Sequence, residues 1–216
     1  MKKTTFFMLG SMLSVVSAPA MADINIKPYI GFGLSYDYAM LYDELGEEIT
    51  YLTGYDIETS DLINTNHFGV NLNVGVQFNK YFATELFYQH TFNSKATIEF
   101  LDGELMTKVS SNNFGADLIG LLPITDTNFS LIGSVGVGSY KFRVKETITE
   151  YTYGIEENYS ESESNIGFRI GIGGQYDFSD NWAARFMIRY VGMNSDKEKD
   201  VVDGLMDISL GVKYAF

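Results

Sequence analysis

Met206-Asp-Ile-Ser-Leu-Gly-Val-Lys-Tyr-Ala-Phe216 alternates without a break. Met206, Ile208, Leu210, Val212, Tyr214 and Phe216 make one apolar row, and Asp207, Ser209, Gly211, Lys213 and Ala215 make the other. Successive side chains of a strand point to opposite faces, so this period of two specifies a strand, bulky and apolar on one face and small or charged on the other. Such a strand suits a wall that has hydrocarbon on one side.

Working outward from that stretch, the alternation recurs seven more times. Pro28–Tyr38 sets Ile30, Phe32, Leu34 and Tyr36 against Gly31, Gly33, Ser35 and Asp37. Phe68–Phe78 sets Phe68, Val70, Leu72, Val74 and Val76 against Gly69, Asn71, Asn73 and Gly75. The others run from Phe82 to Thr91, Phe114 to Leu122 (imperfectly), Leu131 to Gly138, Ile166 to Phe178 and Trp182 to Val191. Each segment is near the 9–11 residues that a tilted strand needs to cross a bilayer. An even number of them predicts an all-β fold, an eight-stranded antiparallel up-and-down transmembrane barrel.

The connections alternate in length. Asn79-Lys80-Tyr81, Pro123 to Asn128 and Ser179-Asp180-Asn181 are short and rich in turn formers. The other four, roughly Ala39–Asn66, Asn93–Asn112, Arg143–Ser164 and Gly192–Gly204, are long. Short turns on one rim and four long loops on the other put both termini on the short-turn side. Asp102-Gly103 and Gly154 predict that two of the long connections continue as hairpins.

Periodicity does not say which face looks out, but volume does. The interior of an eight-stranded barrel is just wide enough for ordinary side chains to fill, and the Phe, Tyr, Leu and Trp of the apolar rows exceed it. The opposite face carries Gly31, Gly33, Gly69, Gly75, Gly115, Gly136, Gly138, Gly167, Gly171, Gly173 and Gly211, which suits a crowded interior. The apolar rows therefore face lipid. Phe78, Phe82, Phe129, Tyr176, Phe178, Trp182, Tyr214 and Phe216 gather at the short-turn end, and Tyr36, Tyr38, Phe68, Tyr88, Phe114, Phe168 and Tyr190 at the other, as two interfacial girdles would.

At the N-terminus, Lys2 and Lys3 precede an apolar run, Phe6–Val16, and the small-residue site Ala20-Met21-Ala22. This is a secretory signal over residues 1–22, with cleavage expected before Asp23 and a barrel domain over 23–216; the apolar run is too short to span a bilayer. Cysteine is absent, so no disulfide staples are available. The formal charge of −13 argues against nucleic acid as a partner.

On the inward face, Asp37, Glu85, Asp117 and Asp207 are balanced by Arg169, Arg185, Arg189 and Lys213. An unpaired charge in a narrow interior is costly, so a balanced set predicts an ion-pair network that plugs the lumen; a charge-lined pore is the alternative. The first long connection carries Asp43, Glu44, Glu47, Glu48, Asp56, Glu58 and Asp61 without Lys or Arg. The third carries Glu146, Glu150, Glu156, Glu157, Glu161 and Glu163 with Arg143 and Lys145 near its base. These acidic loops read as solvated surface that discourages edge-to-edge pairing, as a recognition surface for a cationic partner, or as carboxylates gathering divalent cations, though no loop has the spacing of a calcium hand. Lys141 and Arg143 have lipid-facing parity and are expected to snorkel to the outer interface.

Catalytic signals are poor. His67 and His90, the two histidines, read as interfacial residues, and Ser94 lacks a recognisable spacing to His90. Gly171-Ile-Gly173-Gly174 sits in continuing alternation with no helix after it, so it is not a nucleotide loop. No enzyme, cofactor or metal site is expected.

The whole pattern resembles small bacterial outer-membrane barrels of the OmpA/OmpX type, often labelled porin-family proteins. Lys27-Pro-Tyr-Ile-Gly-Phe-Gly-Leu-Ser-Tyr36 looks like the opening strand of such barrels, and the terminal strand resembles their C-terminal signature, in which Tyr214 and Phe216 would be read by the barrel-assembly machinery. The resemblance implies export to the outer membrane of a Gram-negative cell and contact with lipid and lipopolysaccharide. It also implies a role in envelope structure or in adhesion to host surface molecules. A periplasmic peptidoglycan-binding domain is not expected after the barrel. The reading is a non-enzymatic surface barrel; the alternative is a narrow channel for small solutes.

Overall fold

The computed structural model describes residues 26–41, 65–100, 103–150, 155–193 and 202–216. The expected signal segment and the acidic stretch Asp43–Asp61 lie outside those residues. Eight strands follow in order: β1 Lys27–Leu41, β2 Asn66–Gln77, β3 Phe82–Phe100, β4 Gly103–Pro123, β5 Phe129–Glu150, β6 Ile155–Asp177, β7 Trp182–Met193 and β8 Val202–Ala215. Each pairs antiparallel with the next, and β8 returns to β1 to close the barrel. Closure removes the sheet edges, so the eight-stranded up-and-down barrel expected from the alternation is the fold.

Register keeps each side chain on its face, because a slip of one residue would invert a strand. Across the closing seam, Phe32 meets Val212 and Leu34 meets Leu210, apolar against apolar, while Gly33 meets Gly211 and Ser35 meets Ser209. The result is a band of outward residues without protein cover, including Leu34, Leu86, Leu118, Ile170, Ile172 and Leu210. Uncovered apolar surface on that scale requires an apolar solvent. Aromatic side chains border the band: Tyr36 packs edge-on against Phe68 at one end, and Trp182 against Tyr214 at the other.

Inside, two apolar clusters stack along the axis. Tyr29, Ala83, Ile119, Leu121, Ile132 and Met187 fill the short-turn half; Ala39, Phe87, Tyr140, Phe142, Val191 and Leu205 fill the long-loop half. The imperfect alternation of β4 has its reason here, since Ile119 and Leu121 point inward as core while Leu118 and Leu122 stay outside.

The short turns are held by side-chain caps. Asn79 Oδ1 accepts from the backbone N–H of Tyr81 and Phe82. In the β4–β5 turn Asp126 takes a left-handed φ of 61°, which a short polar side chain tolerates, and Thr127 Oγ1 donates to the carbonyl of Ile124 at 2.9 Å.

On the opposite rim two of the four long connections continue as hairpins, as expected from Asp102-Gly103 and Gly154, with β4 pairing on β3 from Gly103 and β6 on β5 from Ile155. Asn93–Asn112 and Arg143–Ser164 are largely continued ladder rather than irregular connection. β4 and β5 remain paired from Pro123↔Ser130 to Gly103↔Glu150, and β5 and β6 from Phe129↔Tyr176 to Glu150↔Ile155. A tilted crossing uses about 9–11 residues, whereas β4, β5 and β6 have 21, 22 and 23. Roughly ten residues per strand, about 30 Å along the strand, thus extend beyond the apolar band. The sheet β3–β6 rises from the rim as a paddle, with a bulge in β3 between Thr91 and Ser94 where it leaves the barrel.

Candidate functional site

The lumen is the most organised polar site. Its walls are backbone ladders, so every second residue of each strand is delivered to the axis at a fixed height. Three ion pairs occupy it. Arg169 of β6 and Asp117 of β4 form a two-point pair, with Nε donating to Oδ1 at 2.7 Å and an Nη donating to Oδ2. The Arg169 guanidinium also lies over the Phe87 ring, 3.5 Å from its centroid, a cation–π contact. Arg185 of β7 reaches across to Glu85 of β3, Nη1 donating to Oε2 at 2.6 Å, and Tyr29 donates its hydroxyl to the same oxygen at 2.8 Å. Arg189 donates to Asp207 at 2.8 Å and to Ser209 Oγ at 2.6 Å.

Asp37 and Lys213 do not join these pairs. Asp37 stands beside Asp207 and accepts from the Gln89 side-chain amide at 2.8 and 2.9 Å. Lys213 lies toward the short-turn end, where it donates to Gln77 Oε1 at 3.1 Å and sits over the Tyr29 ring, 4.8 Å from its centroid. The balanced set is therefore three separate pairs plus two residues satisfied by amides and a ring. Tyr29, Gln77, Gln89 and Ser209, which sequence reasoning left out, share the inward parity of the charges, and that parity was the signal available.

These groups leave little space. Between Tyr29, Glu85, Arg185 and Met187 a cavity of about 20 Å³ remains, room for about one water. A polar vestibule of about 330 Å³ opens at the short-turn mouth beside Lys27, Asp177, Asn181 and Lys213.

His67 faces inward and is buried rather than lying at the interface, because β2 places it opposite Asp37 on the lumen side. His90 does face outward, with its Nδ1 2.9 Å from Asn112 Oδ1, which also accepts from the Tyr88 hydroxyl at 2.9 Å. Among the described residues no group of three or more His, Asp or Glu is arranged to hold a metal ion. At the C-terminus Tyr214 packs edge-on against Phe216, whose backbone N–H donates to the Pro28 carbonyl at 2.9 Å.

The profile of the outer membrane protein beta-barrel domain matches residues 9–216. No curated protein sequence matches the chain. Among solved structures, Ail, the attachment invasion locus protein of Yersinia pestis, in complex with the heparin analogue sucrose octasulfate, is similar at 19% identity and a TM-score of 0.53, over 89% of this chain and 100% of that one. Neisserial surface protein A is similar at 15% identity and a TM-score of 0.55, over 89% and 99%. The outer membrane protein OprG from Pseudomonas aeruginosa is similar at 13% identity and a TM-score of 0.53, over 89% and 97%.

Proposed function

This chain belongs to the outer membrane protein beta-barrel domain family and so resides in the bacterial outer membrane, and from that premise we propose that it is a non-enzymatic surface barrel whose projecting β3–β6 sheet makes the functional contacts. One observation carries the reading: the lumen is filled at several heights while the ladders of β3–β6 run roughly ten residues past the apolar band. A filled barrel is a rigid mount, and a paired sheet presents side chains in fixed register at less ordering cost than a free loop. The partners proposed are host surface molecules or neighbouring envelope components, the acidic segment Asp43–Asp61 adding a surface for cationic groups. Export through a cleaved segment 1–22 and delivery by the barrel-assembly machinery through Tyr214 and Phe216 belong to the same proposal. The Ail complex shows that a barrel of this fold holds a sulfated saccharide analogue, which supports surface recognition as a use of such a scaffold.

The test pairs conductance with binding. Purified barrel in planar bilayers is expected to give no steady openings. Cells bearing a barrel shortened by replacing 92–110 and 143–162 with tight turns are expected to lose adhesion to host cells or matrix while keeping the folded barrel. Reproducible openings together with unchanged adhesion would favour the narrow solute channel instead.

A further inference from the structure

The projecting sheet has two chemically different faces, and the ladder register reveals them. Lys141, Arg143 and Lys145 alternate with Phe142 and Val144 along β5, and share the outward parity of Val135 and Val137. Lys145 pairs with Lys108 of β4, which pairs with Lys95 of β3, so three lysines occupy one cross-strand row. Like charges directly opposite each other destabilise a sheet, and a chain of net charge −13 with 15 basic residues has placed them together. The carboxylates of the same hairpin lie on the other face: Glu163 pairs with Phe142 and Glu161 with Val144. Among the described residues no ion pair joins Lys108, Lys141, Arg143 or Lys145 to a carboxylate.

Position identifies what would neutralise this face. Tyr88, Phe114, Ser139 and Ile166 form one cross-strand row at the top of the apolar band, and His90, Asn112, Lys141 and Ser164 form the next. The first cation therefore stands one pleat, about 7 Å along the strand, above the aromatic girdle. Arg143 and Lys145 follow at the next two pleats. On β6, Ser160, Ser162 and Ser164 line the same exposed face and add hydroxyl donors. Cations that continue a lipid-facing surface upward from its aromatic border lie where the phosphates of the outer leaflet lie.

We propose that the outward face of β3–β6, centred on Lys108, Lys141, Arg143 and Lys145, is a binding surface for the phosphate groups of the outer-leaflet glycolipid. The planar Arg143 guanidinium suits two-point phosphate binding, and the lysines act as point charges around it. This rests on the proposed reading in one respect, that the paddle stands outside the cell. The acidic opposite face, with Glu161 and Glu163, is left for other contacts.

The test uses the full-length barrel in nanodiscs of zwitterionic phospholipid and measures binding of fluorescent lipid A. The quadruple variant Lys108→Gln/Lys141→Gln/Arg143→Gln/Lys145→Gln is expected to bind phosphorylated lipid A about tenfold more weakly or worse. Wild type is expected to show a similar loss toward dephosphorylated lipid A, and a fall in affinity with added salt. Equal affinity of wild type and variant for phosphorylated lipid A would overturn the proposal. So would an effect seen only with a soluble sulfated oligosaccharide, which would assign the face to an external polyanion. Should the quadruple variant fail to fold, Arg143→Gln and the wild-type salt titration apply the same criterion. Cleavage of the paddle by protease added to intact cells is scored separately. Absence of cleavage would overturn the surface reading and this proposal with it, whereas cleavage with unchanged lipid A binding would overturn the glycolipid site alone.

Discussion

Asp37 of β1 and Asp207 of β8 stand directly opposite each other across the seam that closes the barrel, and the Gln89 amide donates to both, at 2.8 Å to Asp37 Oδ1 and 3.2 Å to Asp207 Oδ2. Only Asp207 has a cation, Arg189. The seam therefore carries a buried pair of like groups held by one neutral amide.

Asp37→Asn removes the like-charge contact and gives Asp207 a neutral neighbour. It is expected to raise stability by on the order of 1 kcal/mol, read as the shift of the urea midpoint for unfolding from lipid vesicles. Asp207→Asn, which leaves Arg189 without its carboxylate, is expected to lower it. The same sign for both substitutions would mean that the asymmetry of this pair has no energetic weight.

Among the described residues Arg185 is the one cation at hydrogen-bonding distance from Glu85, and both side chains are buried. Arg185→Ala is expected to cost about 3–5 kcal/mol, because it leaves a buried carboxylate without its cation and with only the Tyr29 hydroxyl to hold it. Replacing both partners, Glu85→Leu with Arg185→Met, is expected to recover most of that loss, since an apolar pair carries no desolvation penalty. Unfolding of the three proteins from vesicles in urea measures this, and a double variant as unstable as Arg185→Ala would contradict it.

How far the sequence could be read depends on which level set each feature. Strand number and face came from alternation, which is local: Leu72 and Asn73 declare their sides through their neighbours alone. The ion-pair partners were not local. Glu85 and Arg185 are 100 residues apart, and their meeting depends on register and barrel closure, so charge balance pointed to pairing without showing which residues pair. Residues such as Tyr29 and Gln89 have no charge to flag them. In the long connections the turn residues marked two hairpins but not how far their ladders run. Their extent was hidden because loss of apolar residues resembles loss of strand once a ladder leaves the membrane. Paired backbone in water needs no lipid-facing apolar row, and the alternation that continues there sets Lys141, Arg143 and Lys145 against Phe142 and Val144.

Gly136 tests how tightly the lumen is filled. A Cβ added there would fall on the Asp117 carboxylate, which holds Arg169. Gly136→Ala is expected to destabilise the barrel by about 1–3 kcal/mol through this overpacking. Gly133→Ala is the control on the same strand, since a Cβ there meets nothing within 4 Å, and it is expected to be neutral or mildly stabilising. Urea unfolding of the two variants should separate them clearly.

The apolar band makes its own demand. Ile172, 68% exposed and midway along the membrane-crossing part of β6, faces lipid. Ile172→Arg is expected to cost about 2–4 kcal/mol, as arginine does at the bilayer midplane. Ser162→Arg, on the same outward face but above the girdle, is expected to cost no more than its like-charge contact with Arg143 opposite, under about 1 kcal/mol. Equal effects of the two in refolding into vesicles would place the membrane boundary elsewhere.

Phe216 separates assembly from stability. Its ring is 66% exposed and touches Tyr214 edge-on, while its backbone N–H, which any residue would supply, makes the bond to Pro28. Phe216→Ala thus removes one exposed interfacial ring and no ladder bond, and the purified variant refolded into vesicles is expected to keep its urea midpoint to within about 1 kcal/mol. If the terminal aromatic is read by the assembly machinery, the same variant is expected to accumulate several-fold less folded protein in the outer membrane of living cells, the deficit appearing as unassembled periplasmic chain. Normal cellular assembly of Phe216→Ala would remove the recognition role. A large loss of stability in vesicles would instead make the ring a structural part of the girdle that Trp182 and Tyr214 begin.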